Sequence, residues 1–185
     1  MEEYRYQNAV HQLIQEQLAN GETITFRVLG ESMHPFIREG DPIHVEQCNP
    51  RDLSMGDIIT FKGDDLYLTH RVLWIVKNGN AIRLITRGDN EIAVDPPVSP
   101  NHILGKVVAI GRADRTFHLE AHPWRFINRL LGVLFLMETF SILSYRLAAK
   151  KVIPFRTLVH ATFKPSLLYR RLRNRGLGIA TRVIM

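Results

Sequence analysis

Near the start of the chain Val10, Leu13, Ile14 and Leu18 stand three and four positions apart, with polar residues between them. Side chains at that spacing share one face of an α-helix, so the pattern predicts a short amphipathic helix over residues 4–19. Asn20-Gly21 comes next, a pair that tolerates left-handed backbone and so ends a helix. From Thr23 the period changes to two. Ile24, Phe26 and Val28 alternate with polar neighbours, and Ile43 and Val45 repeat the pattern. Alternation puts every second side chain on one side of a strand. Further strand-like runs cover 58–61, 67–75, 81–86 and 103–111. They are separated by turn-forming clusters such as Lys62-Gly63-Asp64-Asp65 and Lys77-Asn78-Gly79-Asn80. The reading is a mainly β domain of antiparallel hairpins, with a stiff irregular connection at Asp95-Pro96-Pro97 and Pro100.

Beyond Pro123 the pattern turns helical again. An apolar stretch at 130–136 continues through Phe140, Ile142, Leu143 and Tyr145, bracketed by Arg129 and Arg146 and interrupted by Glu138. A membrane span needs about 20 apolar residues, more than fit between those two arginines. The expectation is therefore a helix lying in a membrane surface or packed on protein, rather than a span. Pro154 and Pro165 divide the remainder of the chain into short pieces, and residues 170–175 form a basic cluster.

Charge sharpens this division. Residues 1–122 carry 12 Lys+Arg against 17 Asp+Glu, whereas 123–185 carry 12 against Glu138 alone, so a region of −5 is joined to one of +11. Three parts are expected: an N-terminal helix over 1–22, a β-domain over 23–122 and a basic helical region over 123–185. That last region suits an anionic membrane surface or a partner protein. Nucleic acid is the weaker reading, because no recognised binding motif accompanies the charge. A charged N-terminus without an apolar run predicts neither a signal peptide nor a leading anchor, and hence a cytoplasmic or peripheral membrane location. Cys48 stands alone, which excludes an internal disulfide and a thiolate metal cluster and predicts a buried or half-buried thiol.

Three short segments carry candidate chemistry. Gly30-Glu31-Ser32-Met33-His34-Pro35 comes directly after a strand and places a serine on an exposed tight turn. Leu68-Thr69-His70-Arg71-Val72 sets a histidine and an arginine in a strand otherwise made for burial. Thr86-Arg87-Gly88-Asp89-Asn90, with Asp95-Pro96 after it, reads as a polar turn leaving a strand. Each alone is commonplace: a turn serine, a core histidine, a solvated loop.

In this order, the three resemble the boxes of the S26 peptidases, specifically the ER-type and archaeal signal peptidases and their relatives in sporulating bacteria. Ser32-Met33-x-Pro35 with Gly40-Asp41 after it resembles the nucleophile box, and Gly56-Asp57-Ile58 the next. His70-Arg71-Val72 resembles the base box, and Arg87-Gly88-Asp89-Asn90 with Asp95 the last, while Ile103-Leu104-Gly105-Lys106-Val107-Val108 looks like the closing strand. The resemblance covers roughly residues 28–112. It implies the signal-peptidase and S24-repressor type of β-domain, and a serine endopeptidase that removes a leader or signal segment from a precursor after small residues such as Ala-x-Ala. It implies no cofactor and no metal. His34, His44, His102, His118 and His122 could suggest a metal, but none of them is expected to pair at the four-residue helical spacing of a zinc-protease helix.

The resemblance also implies roles. Ser32 would be the nucleophile and His70 the general base, where bacterial type I enzymes and S24 repressors use lysine. A serine hydroxyl attacks only when a neighbour takes its proton, and histidine is poised near neutrality to do so. Asp95 would orient the histidine, with Asp89 as the competing carboxylate or a partner of Arg71. The Ser32 N–H would serve the oxyanion. Gly30 stands where relatives often carry a helping serine, and Met33 and Arg71 would line or shape the substrate groove. Two other readings keep the fold: a noncatalytic module binding a membrane surface or partner, and a self-cleaving regulator of the S24 type.

Overall fold

In the computed structural model, which describes residues 2–149 apart from 64, 65 and 80, together with 183–184, the alternating residues after Thr23 form an antiparallel sheet. Its strands are β1 (Ile24–Val28), β2 (Pro42–Glu46), β3 (Ile58–Lys62), β4 (Tyr67–Asn78), β5 (Ala81–Arg87), β6 (Ile103–Arg112), β7 (Arg115–His118) and β8 (Val183–Ile184). Neighbours run β5-β4-β3-β6-β2-β1-β8, and β7 pairs with β6 off that path. Burial along β1 alternates as the sequence pattern requires, with Ile24, Phe26 and Val28 inside and Thr25 and Arg27 outside. The short β7 has no such pattern: Phe117 is its only apolar residue, and backbone pairing with β6 holds it.

Helix α1 (Glu2–Ala19) closes one side of the sheet. Ile14 and Leu18 are almost wholly buried and join Phe26, Val28, Ile43 and Val45 in the main core. Leu13, expected on the same face, is 60% exposed, because it sits about 100° round the helix from Ile14 and past the edge of the contact. A second cluster, including Ile59, Phe61, Val72, Leu84 and Val98, fills the space around the β3-β4-β5 hairpins. Cys48 packs half-buried against it, and burial pushes its thiol up to about 11, so it stays protonated.

Strand β4 runs three residues beyond its expected end. Its pairing with β5 extends from Arg71↔Arg87 to Asn78↔Ala81, and the outer half of this hairpin projects into solvent, where Trp74 and Val76 are exposed. The inner half is buried continuously from Thr69 to Leu73. That buried half carries the residues of interest.

The largest departure from expectation is α2 (His122–Ala149), 28 residues long, which runs past both Arg129 and Arg146 and through Glu138 without a break. Its stretch His122–Arg146 reaches a mean hydropathy of 1.6, long and apolar enough by length and composition to cross a membrane, which corrects the expectation that these charges leave it too short. One face packs on the β-domain. Trp124 meets Phe36 and Phe117 edge-on. Gly132 presses on Gly56, which has φ +92, and a Cβ on residue 132 would come within 3.0 Å of the Gly56 Cα. The opposite face leaves Phe126, Leu130, Val133, Leu134, Met137 and Phe140 exposed. The proline breaks at 154 and 165 and the basic cluster 170–175 lie outside the described residues.

Candidate active site

The turn after β1 carries Ser32, and β4 carries His70. The Ser32 Oγ lies 2.9 Å from His70 Nε2. On the other side of the ring, His70 Nδ1 lies 2.7 Å from Asp95 Oδ2. The Thr86 hydroxyl donates to the same carboxylate oxygen at 2.7 Å, while the Asp95 N–H donates to the Thr86 carbonyl at 2.8 Å. Residue 95 is thus pinned to the end of β5 by backbone and side chain together. The result is a continuous hydrogen-bonded chain, Ser32–His70–Asp95–Thr86, assembled from segments up to 63 residues apart in sequence.

Ser32 is wholly buried and His70 is 1% exposed, so the serine does not stand on an open turn as expected. The Arg87-Gly88-Asp89-Asn90 turn packs over it: the Asn90 N–H donates to the Ser32 carbonyl at 2.7 Å, and a Cβ on residue 88 would lie 3.0 Å from the Ser32 Cβ and 2.6 Å from its carbonyl oxygen. Only glycine fits there. Burial works against a charged His70, but the Asp95 charge and hydrogen bond, with Glu91 and Asp89 behind them, outweigh it and carry the imidazole up to about 9. Glu91 is itself shifted upward, chiefly by burial.

Asp89 faces elsewhere. Its two oxygens accept from Arg71 Nε at 2.8 Å and Nη2 at 2.7 Å, a bidentate pair buried on both sides. Successive β4 residues point to opposite faces, so His70 and Arg71 cannot serve the same site directly. Arg71 has no exposed surface, and its remaining donations go to the Gly56 carbonyl at 2.9 Å and Asn128 Oδ1 at 2.7 Å. It braces the back of the strand rather than lining a groove. Met33 likewise lies in the main core with no exposed surface, as an anchor for the turn and not a wall of the groove, since the residue after Ser32 points back into the domain. Gly30 is buried at the entrance to the same turn.

Thr86, Asn90, Glu91 and Asn128 take part in or adjoin this constellation, although the sequence pattern gave none of them a role. Thr86 and Asn90 lie within the third candidate segment, and a strand-end threonine a few residues before a candidate aspartate is the available signal. Nothing local marks Asn128. Among the described residues, His70, Glu91 and Asp95 form the group whose donor atoms, all within 4.8 Å of one another, are close enough to hold a metal ion. Two of these residues, His70 and Asp95, are already joined through Nδ1 by the hydrogen bond described above. His118 and His122 stand four apart in sequence, but β7 ends at the first and α2 begins at the second.

Comparison with known proteins bears on the family. The family model described as Peptidase S24-like matches residues 1–108, more than half of the chain. The chain belongs to the S24-like peptidase family. A signal peptidase complex catalytic subunit SEC11 from Pyricularia oryzae is 30% identical over 125 residues, covering 60% of this chain and 71% of that protein. The signal peptidase I W of Bacillus subtilis is 38% identical over 79 residues, covering 41% of this chain and 42% of its own length. No solved structure matches. In this S24-like peptidase, the three segments that carry Ser32, His70 and Asp95 fall inside the matched region, whereas α2 lies beyond it.

Proposed function

We propose that this S24-like family member is a serine endopeptidase of the signal peptidase kind, acting on precursor peptides or proteins with Ser32 as nucleophile, His70 as general base and Asp95 as the group that orients the base. The observation that carries this reading is the 2.9 Å approach of Ser32 Oγ to His70 Nε2, with a carboxylate on the far ring nitrogen. Neutral His70 holds its proton on Nδ1 toward Asp95 and accepts the Ser32 proton on Nε2 as the oxygen attacks a peptide carbonyl. The imidazolium then donates that proton to the leaving amine, and an acyl-serine remains. Water, deprotonated by the same ring, hydrolyses the ester and restores the serine. The Ser32 N–H is the natural donor to the oxyanion. A module that only binds has no use for a nucleophile and a base held at this distance.

The test uses synthetic precursors carrying an Ala-x-Ala site behind an apolar segment. Incubation with the purified chain should give two fragments whose masses locate one cut after a small residue. A folded chain that leaves every such precursor intact would count against the reading.

The exposed side of α2 supports a finer proposal about location. An apolar stripe flanked by Arg125, Arg129 and Arg146, in a region of net charge +11, suits a bilayer surface rich in anionic lipid. Co-sedimentation should be strong with phosphatidylserine-containing vesicles and weak with neutral ones. Equal binding to both would remove the electrostatic part of this proposal.

A further inference from the structure

Two arginines on the catalytic hairpin are buried back to back with α2. Arg71 and Arg87 are register partners on β4 and β5, 0% and 1% exposed, so two like charges face each other out of water. Each needs acceptors close by, because a buried guanidinium without them is costly. Asp89 takes two of the Arg71 donors, but Arg71 Nη1 reaches Asn128 of α2. Arg87 depends on α2 more heavily: Nη2 donates to Glu138 at 2.6 Å, Nη1 donates to Thr139 at 3.2 Å, and the guanidinium lies 4.8 Å over the Phe135 ring. Its Nε is the one buried side-chain polar atom without a partner among the described residues.

Glu138 is the only acidic residue after Pro123. Its side chain is half-exposed, and the carboxylate turns back onto the buried charge beneath it. That charge belongs to Arg87, the residue directly before Gly88, whose turn lies on Ser32. Arg71 in turn holds Asp89 of the same turn and stands directly after His70.

We propose that Asn128 and Glu138 are positioning residues: from outside the family-matched region they anchor Arg71 and Arg87, and through them hold the 87–90 turn and the base strand in register with Ser32. This rests on the peptidase reading for its kinetic part alone. The helix is then a component of the peptidase unit and not an appendage.

The test compares the full chain with Asn128→Ala, Glu138→Ala and Asn128→Asp, the last keeping an acceptor for Arg71. Cleavage of the synthetic precursor should show kcat reduced between about tenfold and a hundredfold, the scale of a small misplacement of catalytic groups. KM should stay level, and Asn128→Asp should recover most of the loss. Amide hydrogen exchange gives a second reading independent of cleavage. The Asn90 amide, bonded to the Ser32 carbonyl, should lose protection in the two disruptive variants, while the Val28 amide, bonded to Asp41, keeps it. Unchanged kcat or unchanged Asn90 protection would overturn the proposal, as would equal acceleration at Val28, which marks general destabilisation. If even the wild-type chain cleaves nothing, the peptidase reading fails while the exchange data still judge the anchoring.

Discussion

Ser32→Ala should abolish processing of a precursor that the wild-type chain cuts, and His70→Ala should do so to the same extent. Residues that act as one nucleophilic unit are not additive, so the double variant should be no worse than either single one, each losing on the order of 10⁶ in kcat. The reason lies in the contact between them: without the oxygen there is no acyl intermediate, and without the ring the hydroxyl keeps its proton. Ser32→Ala removes one oxygen from a buried turn and leaves His70 still bonded to Asp95, so the domain should keep its cooperative melting transition. Rates measured by fragment mass, beside a thermal melt, separate lost chemistry from lost fold. A Ser32→Ala chain that cuts at the wild-type rate would remove Ser32 from the mechanism.

How much of the fold is legible in the sequence depends on how local the signal is. Strand β1 declares itself because alternate side chains enter the core, and β3 and β6 because they are short runs of mostly buried residues bounded by turn-forming clusters. β7 does not, since its order comes from pairing with β6 and not from any burial pattern of its own. The segments holding Ser32, His70 and Asp95 are visible as family-like boxes, but which carboxylate faces the ring is a tertiary fact. Asp89 and Asp95 differ by six positions, and only the return of the chain to Thr86 brings the second one to Nδ1. The burial of Ser32 is equally hidden, because the residues that cover it come from the far end of β5. The length of α2 is obscured for a related reason. Arg129 and Arg146 look like the bounds of an apolar run and Glu138 like its interruption, yet all three are accommodated on one continuous helix, with Glu138 neutralised by an arginine some 50 residues earlier.

Asp95→Asn should lower kcat/KM by about 10⁴-fold and also move its pH dependence. In the wild-type chain burial disfavours the imidazolium, but the charge and hydrogen bond of Asp95 prevail, and His70 titrates at about 9, above the ordinary 6.5. The base form is the one without the extra proton, so activity should climb as pH rises through that value, giving an acidic limb well above a normal histidine. With asparagine at 95 the carboxylate charge is gone and burial remains, so the limb should move to lower pH than in the wild-type chain. The amide can also present N–H to Nδ1, which forces the ring proton onto Nε2, where it faces Ser32 and blocks acceptance. Stability should run the other way. A histidine whose folded pKa lies above its unfolded one stabilises fully below about pH 6.5 and loses that contribution as pH rises toward 9, about 3 kcal/mol in all. Melting curves of the wild-type chain should therefore weaken over the same interval in which cleavage quickens, and Asp95→Asn should flatten that slope. If the two wild-type profiles instead rise together, the carboxylate does not hold a charged imidazole here, and its assignment to His70 must be withdrawn.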